Sequence, residues 1–395
     1  MRVKLYTSIV ALLLVAGCES SGPTKTQREE AKLQWNQARA SVLVSLAKDQ
    51  YANGNLDKCK ETLDSAMKMD PTNAQLHVLS AKLKIEKGEL ESAEQSLDLA
   101  RTLDPKNAEA DYLSGVIYQR WQRPETSLTF YKSASDKAPA ELAYLMARAE
   151  MHVVLGQQDA ALSLLIEKVQ YFEHSGTIRD AAGQLLARAG KYDEAIDMLR
   201  QASILAEDDN SIREHLALVL FQSKHYRDAA EVLGRLVKLD AYAKRSDLLV
   251  ALGESQSQIG QFREARGSFE SAAQLKPAST AIWISFGKAA LQLGDLPRAE
   301  LAMKKAMSLD PKSSEAYLML GYIRLKQNQM TESLAAFREA FECDQTDTVS
   351  LCMVGYVLGK TGQNDQATKC YARALQMKPN DELARQLLAA IGPQE

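Results

Sequence analysis

Residues 280–313 read TAIWISFGKAALQLGDLPRAELAMKKAMSLDPKS, and stretches of the same design recur along most of the chain. Prolines that close such stretches are 34 residues apart in two runs, with Gln345 occupying one slot of the second run: Pro71, Pro105 and Pro139, then Pro277, Pro311 and Pro379. A fixed period of this length predicts a repeat architecture, in which each repeat buries its apolar face against its neighbours.

The residues within one period predict two helices. Counted from three residues after each proline, ten repeats begin at residues 40, 74, 108, 142, 176, 210, 246, 280, 314 and 348. Positions 4, 7, 8 and 11 share one helical face, and positions 20, 24 and 27 share another. Position 8 is always glycine or alanine, so a neighbouring helix can approach closely. Between the two faces stand glycines suited to a left-handed helix end: Gly156, Gly190, Gly260, Gly294 and Gly362.

This pattern resembles the tetratricopeptide repeat, and the resemblance covers about residues 40–379. The matching residues are Trp283, Gly287, Ala299, Ala306 and Pro311 in the eighth repeat, and Gly115, Tyr118, Tyr131, Ala134 and Pro139 in the third. The resemblance implies an all-α fold, a right-handed α-solenoid superhelix of about ten helix pairs with a concave groove. Residues 27–39 are expected to lengthen the first helix. The apolar stripe between Asp381 and Ile391 predicts a capping helix within residues 380–395.

The repeats lose their regularity near the middle of the chain. The fourth and fifth repeats end in Glu173 and Glu207 rather than proline, and Lys168 replaces the usual alanine at position 27. The sixth repeat runs two residues long through residues 241–245. Two interpretations are open: tolerated drift in a turn, or a break that separates an N-terminal arm, residues 27–245, from a C-terminal arm, residues 246–379.

The N-terminus carries a targeting pattern. Arg2 and Lys4 precede an apolar run, residues 9–16, that is too short for a stable membrane span. The run ends in LVAGC at residues 14–18, which resembles the bacterial lipoprotein box. This predicts a signal peptide, residues 1–17, lipidation at Cys18 and a flexible tether, residues 18–26. The alternative is an ordinary signal peptide with an incidental cysteine. We expect a periplasm-facing, lipid-anchored protein of the bacterial envelope, and Glu19 favours the outer membrane over the inner.

Neither the charge nor the motifs indicate catalysis. The net formal charge is −3, and it becomes −5 when residues 1–17 are removed with Arg2 and Lys4; this balance does not suggest nucleic-acid binding. The chain has no HExxH, CxxC or GxSxG motif. We therefore expect no enzymatic activity, no cofactor, no metal and no small-molecule substrate. Cys59 is expected to be a buried thiol, whereas Cys343 could pair with Cys352 or Cys370 in an oxidising periplasm.

The resemblance also implies which residues face the groove, because positions 2, 5, 9, 12 and 13 of each first helix usually do so in this family. These positions grade from basic through acidic to apolar and aromatic, and the candidates are Lys48, Lys82, Glu150, Asp180, Glu214, Glu254, Ile284, Leu318, Tyr322 and Tyr356. The last two are one period apart, so we expect them to stack as a ladder, either anchoring a partner or packing within the groove wall. The family's carboxylate clamp is absent from position 5, which reads Val44, Val78, Tyr112 and Met146 in the first four repeats.

These observations favour a non-enzymatic, lipid-anchored scaffold or adaptor that binds a peptide or helix segment of another envelope protein. By analogy of architecture, pilus assembly, secretion and exopolysaccharide export are the expected settings. The alternative is a regulatory module that activates or localises a cell-wall enzyme or chaperone, and the sequence does not separate the two.

Overall fold

The computed structural model describes residues 24–391, and all regular secondary structure in that range is α-helical. The helices are α1 (Lys25–Ala52), α2 (Leu56–Met69), α3 (Ala74–Glu86), α4 (Leu90–Leu103), α5 (Ala108–Arg120), α6 (Pro124–Lys137), α7 (Leu142–Val154), α8 (Gln158–Lys168), α9 (Gly176–Arg188), α10 (Tyr192–Leu205), α11 (Asn210–Gln222), α12 (Tyr226–Leu236), α13 (Ser246–Gln258), α14 (Phe262–Leu275), α15 (Thr280–Gln292), α16 (Leu296–Leu309), α17 (Ser314–Lys326), α18 (Met330–Cys343), α19 (Thr348–Lys360), α20 (Asn364–Met377) and α21 (Glu382–Ile391). None of these described helices is long and apolar enough to cross a membrane.

The described helices stack as consecutive pairs within two compact units, which divide between Ala161 and Leu162. In the first unit α1 packs on α2, α3 on α4 and α5 on α6; in the second, the same pairing runs from α9 with α10 to α19 with α20. Each even-numbered helix of these pairs also packs on the next odd-numbered helix, so the core is a continuous layer between neighbours in each unit. The prediction of an all-α solenoid of helix pairs is confirmed.

In each helix pair, a small residue at position 8 of the repeat packs against a larger residue at position 24. Where position 24 is aromatic, position 8 is glycine; the pairs are Gly115 with Tyr131, Gly253 with Phe269, Gly321 with Phe337 and Gly355 with Tyr371. Where position 24 is leucine, position 8 is alanine in four of five repeats: Ala47 with Leu63, Ala81 with Leu97, Ala149 with Leu165 and Ala217 with Leu233, Gly183 with Leu199 being the exception. The side chains at positions 8 and 24 occupy the same space between the two helices. A larger side chain at position 24 therefore leaves no room for a methyl group at position 8.

The turn between the two helices of a repeat contains one residue with a left-handed backbone. The five glycines predicted there have positive φ, and Gly54 and Gly88 join them. In the three remaining repeats the position holds Gln122 (φ 56°), Lys224 (φ 64°) and Asn328 (φ 59°). Glutamine and lysine adopt this conformation at a cost of about 1–2 kcal/mol, so the repeat geometry imposes the turn even where the residue opposes it.

The two sequence irregularities coincide with shortened helices. Full-length second helices have 14 residues, whereas α8 and α12 have 11. Their last residues are Lys168 and Leu236, the two exceptions to alanine at position 27. Longer turns then lead to Gly176 and Ser246, where the next helices begin. A separation of two arms at residue 245 remains a prediction.

Helical residues extend beyond the ten repeats at both ends of the array. Helix α21 packs on α19 and α20 through Leu383, Leu387, Leu388 and Ile391, which confirms the capping helix. The buried Asp381 holds its start, because its carboxylate accepts from the Ala384 backbone at 3.0 Å and from the Thr348 hydroxyl at 2.6 Å. These hydrogen bonds lower the pKa of Asp381.

At the other end, α1 has 28 residues and begins at Lys25, so the predicted lengthening of the first helix is confirmed. The last two residues of the predicted tether, Lys25 and Thr26, are therefore helical rather than flexible. The added part is exposed to solvent, with 64% of Trp35 accessible. The predicted signal peptide, the lipidated Cys18, the start of the tether and residues 392–395 lie outside the described residues.

Candidate binding groove

The odd-numbered helices form the more closely spaced layer of the stack in each unit. Helix α3 contacts both α1 and α5, and the series α9, α11, α13, α15 and α17 is joined in the same way. Even-numbered helices do not approach one another as closely. The first helices are therefore the more closely spaced layer in each unit, and their place on a concave groove remains a prediction. The predicted groove residues all belong to these helices.

The basic residues at the start of the groove already have partners. Lys48 Nζ donates to Gln75 Oε1 at 3.1 Å. The Lys82 ammonium pairs with the Glu109 carboxylate and lies 6.0 Å from the centre of the Tyr51 ring. The predicted basic end is thus partly neutralised by neighbouring repeats.

An aromatic cluster in the first unit was not predicted. The rings of Tyr112 and Tyr144 stack at 4.7 Å between centroids, and Tyr131 lies 5.5 Å from Tyr112. Burial, with the carboxylates of Glu109 and Glu141, raises the pKa of Tyr144 to about 12. Tyr144 escaped the sequence analysis because it stands at position 3, which was not among the positions assigned to the groove.

Three of the four predicted groove carboxylates are paired. Glu150 accepts from Gln119 Nε2 at 3.3 Å, and Asp180 accepts from His215 Nδ1 at 2.8 Å. Glu214 forms an ion pair of 2.7 Å with Arg245, a residue of the long turn before α13. Arg245 also pairs with Asp247, and the two carboxylates raise the pKa of its guanidinium.

Glu254 is the fourth carboxylate, and it makes no hydrogen bond or ion pair to any residue of the described chain. Burial raises its pKa, with no opposing charge to lower it. It lies in a cavity of about 270 Å³ lined by Phe221, Tyr226, Glu254, Ser257, Gln258, Phe269, Ser285 and Lys288. This cavity spans three successive first helices, α11, α13 and α15.

The pairing of His215 with Asp180 predicts a measurable pH dependence. The Asp180 hydrogen bond raises the pKa of His215, against the effect of partial burial, and Glu214 and Asp209 contribute in the same direction. We expect Asp180→Asn to lower the pKa of His215, as measured by NMR titration of the imidazole ring. A pKa raised on folding means that the protonated form stabilises the fold. That contribution is complete below the unfolded value, about 6.5, and is lost as pH rises through the folded pKa.

The control for this titration is Asp208→Asn. This variant removes an exposed carboxylate from the turn that precedes α11, without breaking a contact to His215. An unchanged His215 pKa in Asp180→Asn would contradict the assignment of the hydrogen bond as the main cause.

The C-terminal groove residues are more buried than the sequence suggests. Ile284 is only 6% exposed and belongs to the core, so it offers little surface to a partner. Leu318 and Tyr322 are half-buried, and the Tyr322 ring packs edge-on against Phe337 at 5.2 Å. Tyr356 is half-buried, with Lys360 Nζ 5.6 Å from its ring centre. Tyr322 and Tyr356 make no ring contact in the described chain, so the expected ladder is wrong and Tyr322 belongs to the groove wall.

The four cysteines within residues 24–391 are free thiols, and Cys59 is buried as predicted. Burial is the main cause that raises the pKa of Cys352 to about 12, which keeps this thiol protonated. Within the same residues no group of three or more His, Cys, Asp or Glu side chains could hold a metal ion.

Three family models match the chain. Two tetratricopeptide repeat models match residues 50–117 and residues 179–213. A model of the C-terminal domain of cilia and flagella-associated protein 70, also of this repeat type, matches residues 209–394. Among the curated proteins compared, none matches this chain.

Several solved structures are similar to parts of the chain. The C-terminal part of a TPR repeat-containing protein from Cytophaga hutchinsonii is 15% identical, covers 61% of this chain and 98% of its own, and has a TM-score of 0.49. MamA from Desulfovibrio magneticus is 13% identical, covers 44% and 97%, and has a TM-score of 0.40. Another MamA structure is 19% identical, covers 40% and 92%, and has a TM-score of 0.38.

Proposed function

Because this chain is a tetratricopeptide repeat protein, whose fold is a protein–protein interaction scaffold and is typically non-enzymatic, we propose that its groove holds an extended or helical segment of another protein. The observation that carries the proposal is the Glu254 cavity, since it is built jointly by α11, α13 and α15. One segment lying across these helices would contact three repeats at once, which suits a partner of peptide character rather than a small molecule.

The proposal also includes a cellular location for the scaffold. The LVAGC sequence at residues 14–18 supports lipidation of Cys18 and a periplasm-facing position in the bacterial envelope. Acyl chains would then hold the protein at a membrane without a spanning helix. The partner would be another envelope protein, and the settings proposed by analogy are pilus assembly, secretion and exopolysaccharide export.

Site-specific photo-crosslinking in living cells tests the use of the groove. We expect p-benzoylphenylalanine to form partner adducts when it replaces Gln258 or Tyr356, which lie on α13 and α19, the first helices of their repeats. The matched control is Leu301 on α16, a second-helix residue that is 62% exposed. Adducts that form equally well from Leu301, or only from it, would contradict a groove that binds the partner.

A further inference from the structure

Glu254 stands out among the groove carboxylates because its charge is not satisfied within the chain. Glu150, Asp180 and Glu214 accept hydrogen bonds from Gln119, His215 and Arg245. Glu254 has no such partner, although it is half-buried and its pKa is raised by desolvation. A carboxylate in this situation would be stabilised by a cation that entered the cavity, because the cation would replace the solvation lost on burial.

The walls of the cavity suit the same kind of ligand. Aromatic rings of Phe221, Tyr226 and Phe269 line it, and the first two meet edge-to-face at 6.1 Å. Phe269 is held in place by the fold, because it fills the space over Gly253, the residue before Glu254. Ring faces attract cations through their quadrupole, and ring edges accommodate the methylene groups of a long side chain.

The other charge in the cavity does not satisfy Glu254. Lys288 pairs with the Glu315 carboxylate of α17, the next first helix along the groove. Ser257 donates its hydroxyl hydrogen bond to the Gly253 carbonyl at 2.8 Å. Gln258 is exposed at the rim and has no hydrogen-bond partner in the described chain, so its amide is available to the backbone of a bound segment.

We infer that this cavity, the Glu254 pocket, receives the side chain of one lysine or arginine presented by a protein segment that lies along α11, α13 and α15. The inference rests on the proposed function and names the chemistry of its partner. A cavity of about 270 Å³ is smaller than the usual site for a drug-sized molecule, about 300–1,000 Å³, and it accommodates a single long side chain. The carboxylate of the pocket complements the cationic group of such a side chain, and the aromatic rings complement its apolar stem.

The test uses the full chain and a phage-displayed random dodecapeptide library. We expect the enriched peptides to share a lysine or arginine at one position. A synthetic peptide from the enriched set should lose affinity roughly tenfold or more on Glu254→Gln, because a charge-assisted hydrogen bond is replaced by a neutral one. Replacing the peptide's arginine with citrulline, or its lysine with norleucine, should cause a similar loss on the original protein and little further loss on Glu254→Gln.

The matched control is Glu264→Gln, which removes an exposed carboxylate of α14 that does not line the cavity and should leave the affinity unchanged. Circular dichroism of both variants verifies that the helical fold is retained. Peptides enriched without a basic residue, or bound equally by Glu254→Gln, would overturn the inference and leave the scaffold proposal intact. A library that yields no peptide competing with photo-crosslinking at Gln258 would count against both.

Discussion

Replacing Gly321 with alanine is expected to lower the free energy of unfolding by roughly 1–3 kcal/mol, the usual cost of overpacking a core. A Cβ atom at Gly321 would lie 2.4 Å from both Cδ1 and Cε1 of Phe337. The Phe337 ring is fully buried and packs edge-on against Tyr322, so it has little room to move. Gly321→Leu should cost at least as much. The measurement is urea denaturation followed by circular dichroism, comparing midpoints because repeat arrays need not unfold in one step.

A second substitution tests the cause. Combining Gly321→Ala with Phe337→Leu recreates the alanine–leucine pair found at Ala47 with Leu63. We therefore expect the double variant to be more stable than the sum of the two single effects predicts, with a coupling free energy of about 0.5–3 kcal/mol. Additive effects would mean that the shared volume of positions 8 and 24 does not govern the packing.

Gly267→Ala is the control for this series. Gly267 is an exposed residue of α14, and an added Cβ would meet nothing within 4 Å. Alanine should therefore stabilise the helix by about 0.5–1 kcal/mol, since glycine loses more backbone freedom on folding. The opposite signs expected at two helical glycines separate the clash from the general effect of the substitution.

Changing Cys18 to alanine is expected to abolish acyl labelling and to release the protein from membranes into the soluble fraction. The reason is that the acyl chains on Cys18 would be the anchor, and a chain with a net negative charge gives no attraction to anionic lipid. Metabolic labelling with an alkyne fatty acid, followed by membrane fractionation, measures both effects.

Cys59→Ala is the matched control, because Cys59 is a fully buried thiol that no lipid-transferring enzyme could reach in the folded protein. It should keep both the label and the membrane association. A Cys18→Ala protein that still carried acyl chains and sedimented with membranes would refute the lipoprotein-box interpretation.

The sequence predicted the helix pairs well because the repeat constrains the same positions ten times. Small residues at position 8 and the glycines between helices each express one local requirement, a close approach or a left-handed turn. The three turns at Gln122, Lys224 and Asn328 could not be predicted from residue type. There the geometry of the repeat requires a conformation that only asparagine among the three tolerates readily.

The pairing and burial of the predicted groove side chains were harder to predict, because they depend on contacts between different repeats. Nothing in the sequence shows that Glu214 is paired while Glu254 is not. The partner of Glu214 is Arg245, a residue of the turn that interrupts the period. Ile284 and Tyr322 illustrate the same limit, since a position on the first helix does not determine how deeply its side chain is buried.

The long first helix has a mechanical consequence. Helix α1 begins at Lys25, but its packing against the array begins with Ala40, the first residue of this helix that is fully buried. An α-helix rises 1.5 Å per residue, so the free part is a strut of roughly 22 Å. Its backbone hydrogen bonds make it stiff. The stiff rod therefore fixes the N-terminal end of α1 at that distance from the first repeat.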